Sequence, residues 1–192
     1  MRFEKLKLNE LFPIIFAILF FASPTPAQTQ PSKLQLFGGY SYANSSQGGL
    51  QEHRNSNGWG VDLSGSLYKH LGFTADIAGQ YGRAYSGQTA FRAHDFLLGG
   101  SLNWSAGKLD GFVHVLAGVA HVNAYDLPYK YFYLHYPAET RFAMAFGGGL
   151  DIAVCKHVAI RAAKFDYIPA RTRPYWTQNI RVQTGIVWRF GP

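Results

Sequence analysis

One pattern constrains this chain more than any other: apolar side chains alternate with small or polar ones at a period of two, in one stretch after another. In "NIRVQTGIVWRFGP", Ile180, Val182, Thr184, Ile186, Trp188 and Phe190 fall on one parity, and Arg181, Gln183, Gly185, Val187 and Arg189 on the other. That period belongs to a β-strand with one dry and one polar face. Eight such stretches run Leu34 to Ser45, Gly58 to Lys69, Leu71 to Arg83, Phe91 to Ser105, Leu109 to Asn123, Thr140 to Cys155, Val158 to Ile168 and Asn179 to Phe190. Helical periodicity is nowhere sustained.

The dry face either packs on a core or meets lipid, and the opposite face decides between the two. Trp59, Val61, Leu63 and Leu67 oppose Gly60, Asp62, Ser64, Ser66 and Tyr68; Leu71, Phe73, Ala75, Ile77 and Tyr81 oppose Gly72, Thr74, Asp76 and Gln80. Phe96, Leu98, Leu102 and Trp104 oppose Asp95, Gly99, Ser101 and Asn103, and Phe142, Met144, Phe146, Leu150, Ile152 and Val154 oppose Ala143, Ala145, Gly147, Gly149 and Asp151. A water-facing surface needs dense charge, whereas small residues with an occasional carboxylate suit a narrow barrel's lumen. Trp59, Tyr81, Trp104, Trp188 and Phe190 end the apolar faces, as girdles at headgroup level would. The links alternate between tight turns ("KHL", "AGK", "CKH") and longer Gly-, Pro- and Tyr-rich segments. We therefore expect an all-β fold, an eight-stranded antiparallel up-and-down transmembrane β-barrel with short periplasmic turns and longer extracellular loops.

The seventh stretch breaks parity, because Ile160 outward would also send Lys164 and Asp166 outward. A Lys or Arg facing lipid near the midplane costs about 2–4 kcal/mol, so a β-bulge is expected near Ala162 and Ala163. The fifth stretch is apolar on both parities; Val113, Val115 and Val119 are placed outward and His114 inward. The lumen then holds Asp62, Asp76, Asp95, Asp151 and Asp166 with Arg161, Lys164, Arg181 and Arg189. Isolated buried ions are strongly unfavourable, and eight strands leave room only for side chains, so a plug of salt bridges is expected in preference to an ion path or proton relay.

Residues 1–27 have a positive start (Arg2, Lys5, Lys7), an apolar stretch from Leu11 to Ala22 and a small-residue region ending at Ala27. They are expected to be a secretory signal peptide, leaving residues 28–192 as one β-barrel domain. The apolar stretch is shorter than the roughly twenty residues a helix needs to span a bilayer. The net charge of +7 is spread along the chain, which points to anionic lipid headgroups and not nucleic acid. Cys155 is the only cysteine. No His pair has ligand spacing, and "FGGGLD" lacks a nucleotide-binding pattern, so no metal or cofactor is expected. His94 with Asp95 and Ser86, or His114 with Ser101, form no motif for catalysis.

Binding would reside in the loops. "NAYDLPYKYFYLHYPAE" carries Tyr129, Tyr131, Tyr133 and Tyr136, and "IPARTRPYWTQ" carries Arg171, Arg173 and Trp176. Tyr, Trp and Arg are enriched at interfaces, although a membrane girdle has much the same composition. On "FGGYSY", "FVHVLAGVA", "IRAAKFDY" and the last strand, the chain resembles the bacterial outer-membrane-protein β-barrel domain family, similar in architecture to the OmpA transmembrane domain and to OmpX. The resemblance implies that Trp188 and Phe190 form the assembly signal read by the barrel-assembly machinery, and that lipid and lipopolysaccharide are partners. The expectation is a monomeric, non-enzymatic outer-membrane protein acting in surface interaction or envelope integrity. The alternatives are a small porin-like channel and a lipid A-modifying enzyme.

Overall fold

The computed structural model describes residues 34–46, 53–84, 89–123, 125–129, 132–171 and 176–191. The expected signal segment lies outside them. Ten strands follow in chain order: β1 (Leu34–Ser46), β2 (His53–Tyr68), β3 (Leu71–Ala84), β4 (Thr89–Ala106), β5 (Leu109–Val122), β6 (Tyr125–Tyr129), β7 (Phe132–Tyr136), β8 (Glu139–Cys155), β9 (Val158–Arg171) and β10 (Trp176–Phe190). Eight of them close a barrel in the order β1-β10-β9-β8-β5-β4-β3-β2, every pair antiparallel. Closure runs from Leu34 opposite Phe190 to Ser46 opposite Gln178, so no strand edge is left open. No described helix is long and apolar enough to cross a membrane; the barrel crosses with strands, whose backbone polar groups pair between neighbours around a closed ring.

The alternation puts the apolar side chains outside. Leu98, Val115, Phe142, Ile160, Ile186 and Phe190 are all exposed, as are Val113 and Val119, while His114 is buried in the lumen. In β9 two residues, Ala162 and Ala163, occupy the space of one: Arg161 pairs with Gly185 but Lys164 with Gln183, and the register against β8 shifts at the same place. This bulge turns Lys164 and Asp166 inward, where they are buried.

Two-residue turns at Lys69–His70, Gly107–Lys108 and Lys156–His157 join strands at one end, hereafter the turn end. Lys69 and Gly107 adopt φ of 42° and 63°, the left-handed conformation a tight hairpin demands. At the other, loop end, the strands run further than their alternation suggested: β2 begins at His53, β9 continues to Arg171 and β10 starts at Trp176. Strands β6 and β7 form a separate hairpin inside the longest expected loop. Tyr68, grouped with the lumen face by parity, is instead 63% exposed. The register of β2 on β3 slips between Ser66 and Tyr68, and the strand has left the strict alternation by its last residue.

Candidate functional site

The inward faces of β2, β3, β8, β9 and β10 bring acids and bases together at mid-barrel. Arg161 donates from Nε to Asp151 at 2.8 Å and from Nη1 to Asp62 at 2.5 Å. Its guanidinium lies between the rings of Phe37 and Phe112, 4.3 and 4.5 Å from their centroids, where each ring face attracts a cation. Lys164 Nζ donates to both Asp62 oxygens at 3.0 and 3.1 Å and to Asp76 at 2.5 Å. Arg181 Nη2 reaches Asp76 and Asp166 at 2.8 Å each. His114 joins through Nε2, 2.9 Å from Asp166 Oδ1. Gly147 stands opposite Asp166, and a Cβ there would lie 2.2 Å from its carboxylate; this glycine makes room for the charge.

Strand β9 lies diametrically across the barrel from β3, so Lys164 bonded to Asp76 ties opposite walls together. Apolar layers flank the charges. Phe37, Ala159 and Val187 pack at the turn end, and Leu97, Leu116, Ala120, Ala143, Ala145, Ile168 and Ala170 pack towards the loop end. Alternation put Ala143, Ala145 and Val187 on the inward parity, but it singled out neither an inner apolar layer nor the aromatic sandwich around Arg161.

Among the described buried residues, the network has five carboxylates (Asp62, Asp76, Asp95, Asp151 and Asp166) but three full cations (Arg161, Lys164 and Arg181). Asp95 is the carboxylate left over. Among the described residues its ionic neighbour is Arg181 Nη1 at 3.6 Å, and that nitrogen has no hydrogen-bond partner among them. Arg189, expected among the central charges, does not reach them. It pairs with Asp110 at the turn-end rim, because its position in β10 is only one residue from the strand end.

Two cavities flank the network. One, of about 110 Å³, opens towards the loop end over Asp95 and Arg181; the other, of about 280 Å³, lies at the turn end beside Asp110, Asp151, Lys156 and Arg189. Among the described residues no group of acidic, His and Cys side chains could hold a metal ion. His94 rests edge-on against Tyr81 on the outer face, pointing away from Asp95.

Of the expected loop surface, Arg171 is exposed at the end of β9. Tyr129, Tyr133 and Tyr136 occupy positions in the β6–β7 hairpin and Trp176 opens β10, while Tyr131 and Arg173 lie outside the described residues. Trp188 and Phe190 are exposed on the outer face of β10.

No curated protein sequence matches this chain. Solved structures do. Neisserial surface protein A from Neisseria superposes with a TM-score of 0.63 at 11% identity, covering 83% of this chain and 98% of that one. Ail, the attachment invasion locus protein of Yersinia pestis, gives 0.61 at 13% identity, with 84% and 100% covered. OprG from Pseudomonas aeruginosa gives 0.54 at 8% identity, with 85% and 98% covered. At such identities the likeness speaks for the fold alone. The profile of the outer membrane protein beta-barrel domain matches residues 14–190, and together with the closed barrel and its lipid-facing apolar surface it establishes that this chain belongs to that family and resides in the bacterial outer membrane.

Proposed function

We propose that this protein is a non-enzymatic, monomeric scaffold whose lumen is closed by its charge network and whose extracellular loop end carries a surface-interaction or envelope-integrity role. The observation that carries this reading is the set of buried ion pairs tying β9 and β10 to β2 and β3, with separate cavities above and below. A lumen spanned in this way supplies no continuous aqueous path, and a buried charge lattice does not rearrange cheaply. Extracellular interaction suits the aromatic hairpin at Tyr125–Tyr136. Ail, one of the structural neighbours, has been solved with the heparin analogue sucrose octasulfate; exposed Arg171 offers this chain a comparable type of contact for anionic surface groups such as lipopolysaccharide phosphate. In this reading residues 1–27 are the export signal, and Trp188 and Phe190 are presented to the assembly machinery.

The test has two arms. Purified protein in planar bilayers should leave them electrically sealed; steady open-channel conductance would favour a porin-like pore instead. Replacing residues 125–136 by a short Gly-Ser turn should leave the barrel folded and reduce binding of whole cells to host or lipopolysaccharide surfaces. Unchanged binding would remove the hairpin from the proposal, and altered lipid A on overexpression would indicate an enzyme.

A further inference from the structure

The charge count and the loop-end cavity meet at Asp95. Successive inward positions of β4 are Phe91, Ala93 and Asp95, so an aromatic ring and a methyl group stand directly above a carboxylate on one wall of the cavity. Ala120, Ile168 and Ala170 line other walls. Asp95 and Phe91 are each 9% exposed, and among the described residues the nearest cation lies 3.6 Å from Asp95, beyond hydrogen-bond distance. Arg181, the nearest cation, is already committed to Asp76 and Asp166 at 2.8 Å each. Arg141 at the rim is paired with Glu139 at 2.6 Å. Among the described buried residues the acids outnumber the full cations by two, and burial makes such an imbalance costly.

We propose that this vestibule binds a small primary ammonium compound, its cationic head on Asp95 and a short apolar body against Phe91 and the alanine walls. Each part of the site selects one part of that molecule. The carboxylate and the excess negative charge favour a cation over an anion. The Phe91 ring gives the alkyl body an apolar surface to pack on. The apolar walls favour an alkyl chain over a hydrated metal ion, which would have to surrender its water to enter. The volume of about 110 Å³ limits the guest to a few carbons, since typical drug-sized pockets begin at roughly 300 Å³.

The experiment uses the full barrel in lipid nanodiscs and n-butylammonium as the probe, with binding followed by NMR shift changes of strand β4 and β10 amides. Saturable binding is expected, at least tenfold tighter than for butyrate or butan-1-ol, and not displaced by equimolar sodium. Asp95→Asn should weaken it at least tenfold. Ala120→Leu, which keeps every charge but fills the cavity, should do the same and serves if Asp95→Asn fails to fold. Equal binding of butyrate, displacement by equimolar sodium, binding unaffected by Ala120→Leu or Asp95→Asn, or no saturation at all would overturn the proposal; the last would leave water as the occupant.

Discussion

Lys164 joins three carboxylates of the buried charge network, and Lys164→Met is the perturbation that tests the proposal that this network closes the lumen. Methionine preserves much of the side chain's length and bulk but removes its charge, which takes away contacts to Asp62 at 3.0 Å and Asp76 at 2.5 Å and a longer one to Asp166 at 3.6 Å. At an effective dielectric constant near 20, a single pair at 3 Å is worth about 5 kcal/mol. Part of that is returned because a buried ammonium no longer has to be desolvated. Asp62 and Asp76 stand opposite each other across β2 and β3, so their repulsion is then less compensated. Breaking a buried ion pair from one side costs about 3–5 kcal/mol, or two to three and a half decades in the folding equilibrium. With a urea dependence of about 2 kcal/mol per molar, the unfolding midpoint in short-chain phosphatidylcholine vesicles should fall by roughly 1.5–2.5 M. Tryptophan fluorescence and heat-modifiable gel mobility would follow the transition. Adding Asp76→Asn to the Lys164→Met variant should recover at least about 1 kcal/mol, since the two side chains are coupled. A loss below about 1 kcal/mol for Lys164→Met alone would refute the reasoning, for it would mean that water already solvates these charges.

Deleting Ala162 should remove the β9 bulge and leave regular alternation in which Arg161, Lys164 and Asp166 all still face the lumen; a heat-modifiable folded species is expected on gels, and its loss would refute the assignment of the bulge. Leu98→Arg, at an outward position 62% exposed, should cost about 2–4 kcal/mol in bilayers, measured as a fall in the urea midpoint. Gly147→Ala, whose Cβ would press on Asp166 and on the Phe165 carbonyl, should cost about 1–3 kcal/mol by the same assay, whereas Gly100→Ala, with open space around it, should be neutral or slightly stabilising. Asp110→Asn, which breaks the partly exposed pair with Arg189, should cost under about 1 kcal/mol.

The barrel was legible because most strands state their orientation in their own residues, the fifth, apolar on both parities, being the exception. The carboxylates at Asp62, Asp76, Asp95 and Asp151 sit on the parity of small residues, and the broken parity at Lys164 is itself the signature of a bulge. Partner choice was not legible. Which cation meets Asp62 or Asp110 depends on stagger around a closed ring: Arg161 and Asp62 are 99 residues apart and Arg189 and Asp110 are 79 apart, and no local pattern carries that. The inner apolar layers were hidden for a different reason. Leu97, Leu116 and Ile168 have the hydrophobicity of lipid-facing residues and differ from them only in position. Tyr and Pro composition likewise reads as loop, although β6 and β7 pair there.

The wall between β1 and β10 joins the two stretches of barrel that lie farthest apart in the chain, with Leu34 against Phe190. A cylinder sealed by that seam has no stable half-built form: a chain lacking either strand would present a row of unpaired amides and carbonyls to hydrocarbon. Growth by sequential addition in the bilayer is therefore blocked unless something temporarily occupies the open side, and the completed seam, once formed, resists peeling apart from either edge.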